Sequence, residues 1–129
     1  MRANSPCEVA EALAEAINAG DTDAARELWS EDAIVVAPDG SQTVGREAIG
    51  RILEQLVASE TTIRIELHAI HATQDTAVAR GTLTLNAQGA EGDPSLISRG
   101  ESLVVYSRGP DAAWRVSIDY PLGVPTIST

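Results

Sequence analysis

The apolar residues of this 129-residue chain change their spacing once, close to residue 60. Up to that point they recur every three to four residues, the spacing of one helix face. Beyond it they alternate, the spacing of one strand face. A chain that keeps the two periods in separate halves is expected to pack its helices on one side of a curved antiparallel sheet, an α+β plan.

In the first half, Ser5-Pro6-Cys7-Glu8 combines a capping serine, a proline at the first helical position and a glutamate three residues after the cap. Val9, Leu13, Ala16 and Ile17 share the buried face of the helix that follows. Gly20 can take the left-handed conformation that stops it. Asp21 predicts the cap of a second, shorter helix through about Trp29. Ile34-Val35-Val36-Ala37 reads as a short buried strand, Pro38-Asp39-Gly40-Ser41 as a turn, and Val44 as part of a short returning strand. From Arg46 to about Ser59, Ile49, Ile52, Leu53, Leu56 and Val57 mark a third helix. Strands are predicted at 62–72, 76–87, 96–107 and 113–120, joined through Gln74-Asp75, Gln88 to Pro94, and Gly109-Pro110-Asp111. Leu13, Ile17, Trp29, Ile52 and Leu56 are the expected core. With no repeat or linker, residues 1–129 read as a single domain.

Charge removes several functions. Nine basic against nineteen acidic residues give a net charge of −10, which disfavours binding to nucleic acid or to anionic membranes. All nine basic residues are arginine, so no lysine can form a Schiff base or complete a phosphate-binding loop. Phe is absent, which makes any pocket mainly aliphatic. The single cysteine, Cys7, allows no internal disulfide and no thiolate metal cluster. Without a long apolar N-terminal stretch, a cytoplasmic location is expected.

Particular strings add a family resemblance. They are Ile17-Asn18-Ala19-Gly20-Asp21, Leu28-Trp29-Ser30-Glu31-Asp32-Ala33, Pro38-Asp39-Gly40 with Val44-Gly45-Arg46-Glu47-Ala48-Ile49, and Trp114-Arg115-Val116-Ser117-Ile118-Asp119. From about residue 6 to 123 the chain resembles the ketosteroid-isomerase-like superfamily, also called SnoaL-like or nuclear-transport-factor-2-like. It is most similar to small bacterial homologues ending in a Trp-Arg-x-x-x-Asp strand. The resemblance implies a cystatin-like cone of about three N-terminal helices on a strongly curved sheet, and commonly a homodimer paired through the sheet's outer face. It does not imply one chemistry, because this scaffold hosts isomerases, dehydratases, cyclases and non-catalytic binding modules. Carried over residue by residue, the steroid isomerases' general-base aspartate falls on Ala37 and their helix-one tyrosine on Leu13. Their late-strand carboxylic acid matches Glu101 by strand parity.

Glu101 shares a strand face with Leu103 and Val105. On the inner face its pKa would be raised, as a general acid requires; on the outer face it would be a solvated rim residue. Asp39 is a turn residue and the carboxylate closest to the missing base. Arg80 would hold a ligand carboxylate if its face looks into the cone. His68 and His71, three apart on a strand, are expected on opposite faces. Tyr120 shares parity with Trp114, Val116 and Ile118, so its ring is expected to be buried. The candidates are therefore Glu101 and Asp39 for acid-base work, and Leu13, Ile17, Trp29, Arg80, Leu103 and Tyr120 for ligand binding. The expected function is a small-molecule-binding domain without steroid isomerase activity. The alternative is a metal-independent acid-base enzyme of isomerase, dehydratase or polyketide-cyclase type. No cofactor is expected, and the expected partners are a small apolar or weakly anionic ligand and a second copy of the chain.

Overall fold

Helix α1 (Pro6–Asn18) starts as its sequence dictates: the Ser5 hydroxyl accepts from the Glu8 amide at 3.2 Å, and the Glu8 carboxylate reaches back to the Asn4 amide at 2.7 Å. It ends before Gly20, whose φ of 76° is left-handed. In this computed structural model, which describes residues 3–88 and 94–124, helix α2 is short (Thr22–Arg26) and capped by Asp21 through the Ala24 amide at 3.0 Å. Trp29 is not in that helix; it opens strand β1 (Trp29–Val36). The helix is cut short because the Trp29 backbone joins the sheet beside Val116.

After the turn at residues 38–41 come strand β2 (Gln42–Val44) and helix α3 (Arg46–Ala58). The Arg46 guanidinium donates to the Trp29 carbonyl oxygen at 2.8 Å and pins the start of α3 to the start of β1. Four long strands follow: β3 (Thr61–Ala72), β4 (Thr76–Gln88), β5 (Pro94–Arg108) and β6 (Trp114–Tyr120). The connection expected between Gln88 and Pro94 lies largely outside the described residues. The sheet order is β2-β1-β6-β5-β4-β3, antiparallel throughout except for the parallel β1–β6 pair. Three helices thus pack inside a curled six-stranded sheet, the α+β cone expected from the sequence.

The curl has local causes in β-bulges, which bend a strand and add to its twist. In β3, Leu67 pairs with Gly81 and Ala69 with Arg80, so His68 is an extra residue. In β6, Ile118 pairs with Val105 and Val116 with Tyr106, so Ser117 is extra. The Ser117 hydroxyl donates to the Val105 carbonyl oxygen at 3.1 Å and accepts from the Ser107 hydroxyl at 3.0 Å. Each extra residue reverses the alternation beyond it. His68 and His71 therefore both face outward, contrary to the expectation of opposite faces. His68 Nε2 meets the outward Thr82 hydroxyl at 2.7 Å, and His71 sits opposite Val78. Tyr120 is likewise not buried with Trp114: it is half-buried opposite Leu103, on the outer face.

Gly81 shows how tightly the β3 bulge is pressed onto its neighbour. A Cβ at this position would collide with the Glu66 carbonyl oxygen and lie 3.3 Å from the Leu67 Cα, both backbone atoms that cannot swing away. Gly81→Ala is expected to lower stability by about 1–3 kcal/mol in urea titrations. A loss below about 0.5 kcal/mol would show that the bulge yields.

Candidate functional site

The apolar faces of α1 and α3 lie over the inner face of the sheet without filling the cone. A cavity of about 200 Å³ remains. From α1 its wall takes Leu13 and Ile17, from α3 Ile52 and Leu56, and from the inner positions of β4 Leu83 and Leu85. The Trp29 ring completes the wall on the β1 side. Its Nε1 is buried without a hydrogen-bond partner, enclosed by surrounding atoms rather than opened to the cavity.

Three polar side chains other than the Trp29 indole interrupt this lining: Ser102 and Tyr106 of β5 and Asp119 of β6. Ser102 and Tyr106 are the inward positions on either side of Val104, and Val104 pairs with Asp119. Asp119 is therefore diagonal to both on the inner face, within reach of long side chains. It is half-buried, and among the described residues neither a hydrogen bond nor an ion pair holds its carboxyl. Loss of solvent in this aliphatic setting pushes its pKa up to about 7. Tyr106 is also raised, first by burial and then by the negative charge of Asp119. Among the described residues no basic side chain lines the cavity. Among the described residues no group of three metal-ligating side chains occurs.

Leu13, Ile17 and Trp29 stand in the cavity wall. At Leu13, where the resemblance implies a tyrosine donor, the wall is aliphatic. The other sequence candidates lie elsewhere. Glu101 is exposed on the outer face opposite Thr82, and the inward residue beside it is Ser102. Arg80 is exposed between Ala69 and Leu103, so it cannot hold a ligand inside the cone. Leu103 is half-buried on that same outer face, opposite Tyr120. Asp39 is fully exposed and makes its turn, accepting from the Ser41 hydroxyl at 2.7 Å and the Ser41 amide at 2.9 Å. The side-chain bond first, then the backbone bond, holds its carboxyl below the usual range, the reverse of what a base facing the cavity needs.

The sequence reading missed Asp119 and Tyr106. Strict alternation along β6 that pairs Tyr120 with Trp114 puts Asp119 on the opposite face, and only the bulge at Ser117 brings it inside. The available signal was the aspartate in the Trp114 to Asp119 string, an acid between Ile118 and Tyr120 in a strand.

Folded, Asp119 keeps its proton to about pH 7; unfolded, it loses it near 3.8. Between these values the folded chain binds the extra proton. The stabilisation is therefore complete below about pH 3.8 and is lost as the pH rises through 7. Tyr106, the other titratable side chain in the wall among the described residues, stays protonated across this window. Relative to wild type, Asp119→Asn is expected to gain roughly 3–5 kcal/mol between pH 4 and pH 8. Denaturant titrations across that range measure it, and a difference independent of pH would mean that water reaches the carboxyl freely.

Solved structures with this geometry are numerous, and all those compared below are under 25% identical, so they speak for the fold alone. An NTF2-like protein with a cystatin-like fold from Novosphingobium aromaticivorans aligns with a TM-score of 0.75 at 22% identity, over 88% of this chain and 75% of its own. A conserved protein from Planctomyces limnophilus gives a TM-score of 0.77 at 19% identity, over 92% of both chains. A putative calcium/calmodulin-dependent protein kinase type II association domain from Thiobacillus denitrificans gives 0.72 at 18%, over 95% of this chain and 99% of its own. No curated protein sequence matches significantly. The family model of the SnoaL-like domain matches residues 10–114, most of the length, and on that match the chain belongs to the SnoaL-like domain family.

Proposed function

We propose that the chain is a small-molecule-binding domain whose cone takes a compact, mostly hydrocarbon ligand, with Asp119 meeting its polar part. The observation that carries this reading is an aliphatic cavity of about 200 Å³ with one carboxyl in its wall. Volume also bounds the ligand. A cavity of about 150 Å³ accommodates benzene, so the space of about 200 Å³ here suits roughly eight to ten carbons, and a four-ring steroid would extend beyond it. Steroid isomerase activity is further opposed by Leu13 and Ala37, which supply neither the donor nor the base that the resemblance implies. A weakly anionic ligand is disfavoured, since among the described residues the wall offers a carboxyl and no cation.

An eight-carbon cyclic compound such as cyclooctanone is expected to change tryptophan emission saturably, because Trp29 lines the cavity. Val104→Trp, which fills the space, is expected to abolish the response, and a Δ5-3-ketosteroid to produce neither binding nor turnover. Absence of a saturable response in the wild type sinks the binding reading.

A second reading, acid-base catalysis, is favoured by the Asp119 pKa near 7, where a carboxyl both takes and returns a proton at neutral pH. In deuterated buffer, NMR would then show wild type exchanging the hydrogens beside the cyclooctanone carbonyl and Asp119→Asn not doing so. Exchange no faster than buffer retires this reading. The same proposal includes a homodimer through the outer sheet face, where Val78 is 40% exposed and Leu103 and Val105 are half-buried. Light scattering is expected to give twice the chain mass at micromolar concentration; a monomer contradicts it.

A further inference from the structure

Tyr106 is only 2% exposed. A phenol buried to that degree ordinarily finds a hydrogen-bond partner. Here none is present among the described residues, and the reason is visible in the register: Tyr106 stands between Ala77 of β4 and Val116 of β6, neither of which offers a side-chain acceptor. The Trp29 indole nitrogen is also unpartnered, but neighbouring atoms close it off. Tyr106 instead belongs to the cavity wall, with Ser102 two positions along β5 and Asp119 diagonal to it on β6. The cone therefore holds an unsatisfied donor beside a carboxyl, with aliphatic side chains around most of the remaining wall.

We propose that the Tyr106 hydroxyl is the donor that selects the ligand, and that the ligand is an uncharged ketone of about eight to ten carbons whose oxygen accepts from Tyr106. This rests on the reading of the cone as a binding site. Other ligand classes fit the three polar groups less well. A plain hydrocarbon leaves the hydroxyl unpaired. An organic anion would meet the Asp119 carboxyl in a wall that, among the described residues, offers no counter-charge. An ammonium has only donors to offer, so the Tyr106 proton would still lack an acceptor. A carbonyl oxygen supplies that acceptor without adding charge.

Cyclooctanone and cyclooctane, titrated into wild type and Tyr106→Phe with tryptophan emission as the readout, test the assignment. The preference for ketone over hydrocarbon is expected to fall roughly three- to tenfold in the variant, through weaker cyclooctanone binding together with cyclooctane binding that is no weaker than in wild type. Because the hydroxyl has no internal partner, Tyr106→Phe is expected to melt no lower than wild type. In wild type, the carbon-13 resonance of the Tyr106 ring carbon bearing the hydroxyl should move with cyclooctanone and stay in place with cyclooctane, which keeps the test independent of the variant. An undiminished ketone preference in Tyr106→Phe, or an unmoved Tyr106 resonance, overturns the donor assignment and leaves the binding site standing. Failure of both compounds to bind wild type overturns the binding reading, and this inference with it.

Discussion

Ser117 is one residue more than β6 needs to pair with β5, and the character of the cone depends on it. With strict alternation, the inward positions of β6 would pass from Trp114 and Val116 to Ile118 and Tyr120, and Asp119 would face away. The bulge reverses this. It leaves a Val105 carbonyl to be satisfied by the Ser117 hydroxyl, itself bonded by Ser107, so the irregular segment costs no unpaired oxygen at that point. A small hydroxyl side chain at the extra position both tolerates the bulge and repairs it.

Why a cavity persists inside the bulge-curved sheet follows from which side chains face it. Aliphatic groups on α1, α3 and β4 point inward, and with no phenylalanine in the chain no large apolar ring spans the space between the layers. Helix α2 adds little volume, and Gly50 of α3 lets α2 approach closely, since a Cβ there would strike the Arg26 guanidinium. Arg26 is held in that position by Glu54 at 2.7 Å. The helical layer is thus fixed by polar contacts on its outer side while its inner side leaves a gap.

The fold was legible because it depends on signals that are local in sequence. Ser5, Asp21 and Gly20 set helix ends through groups only a few residues away, and period counting separated helices from strands with boundaries close to those observed except between α2 and β1, where the strand begins at Trp29 rather than Ile34. The site was legible only in part. Leu13 and Ile17 sit on an uninterrupted helix, where 3.6-residue spacing carries direction reliably, and both face the cavity. Glu101, Arg80 and Tyr120 were judged from strand parity, which gives two faces without saying which is inner, and which one inserted residue inverts. The bulges at His68 and Ser117 have no strong signature in composition, because they follow from how neighbouring strands curl together.

Asp119 and Tyr106 together give the cone one group that changes charge near neutrality and one that does not. Burial is the largest cause for both, but with different outcomes: the carboxyl is brought into the physiological range, while the phenol is driven further out of it. Their coupling reinforces the contrast, since an ionised Asp119 makes ionisation of Tyr106 harder still. Tyr106 therefore remains a hydrogen-bond donor in either state of Asp119. A ligand oxygen held by Tyr106 would stay in place while the neighbouring carboxyl gained or lost a proton. Binding and proton transfer would then rest on separate side chains, both placed on the inner face by a single register of β5 against β6.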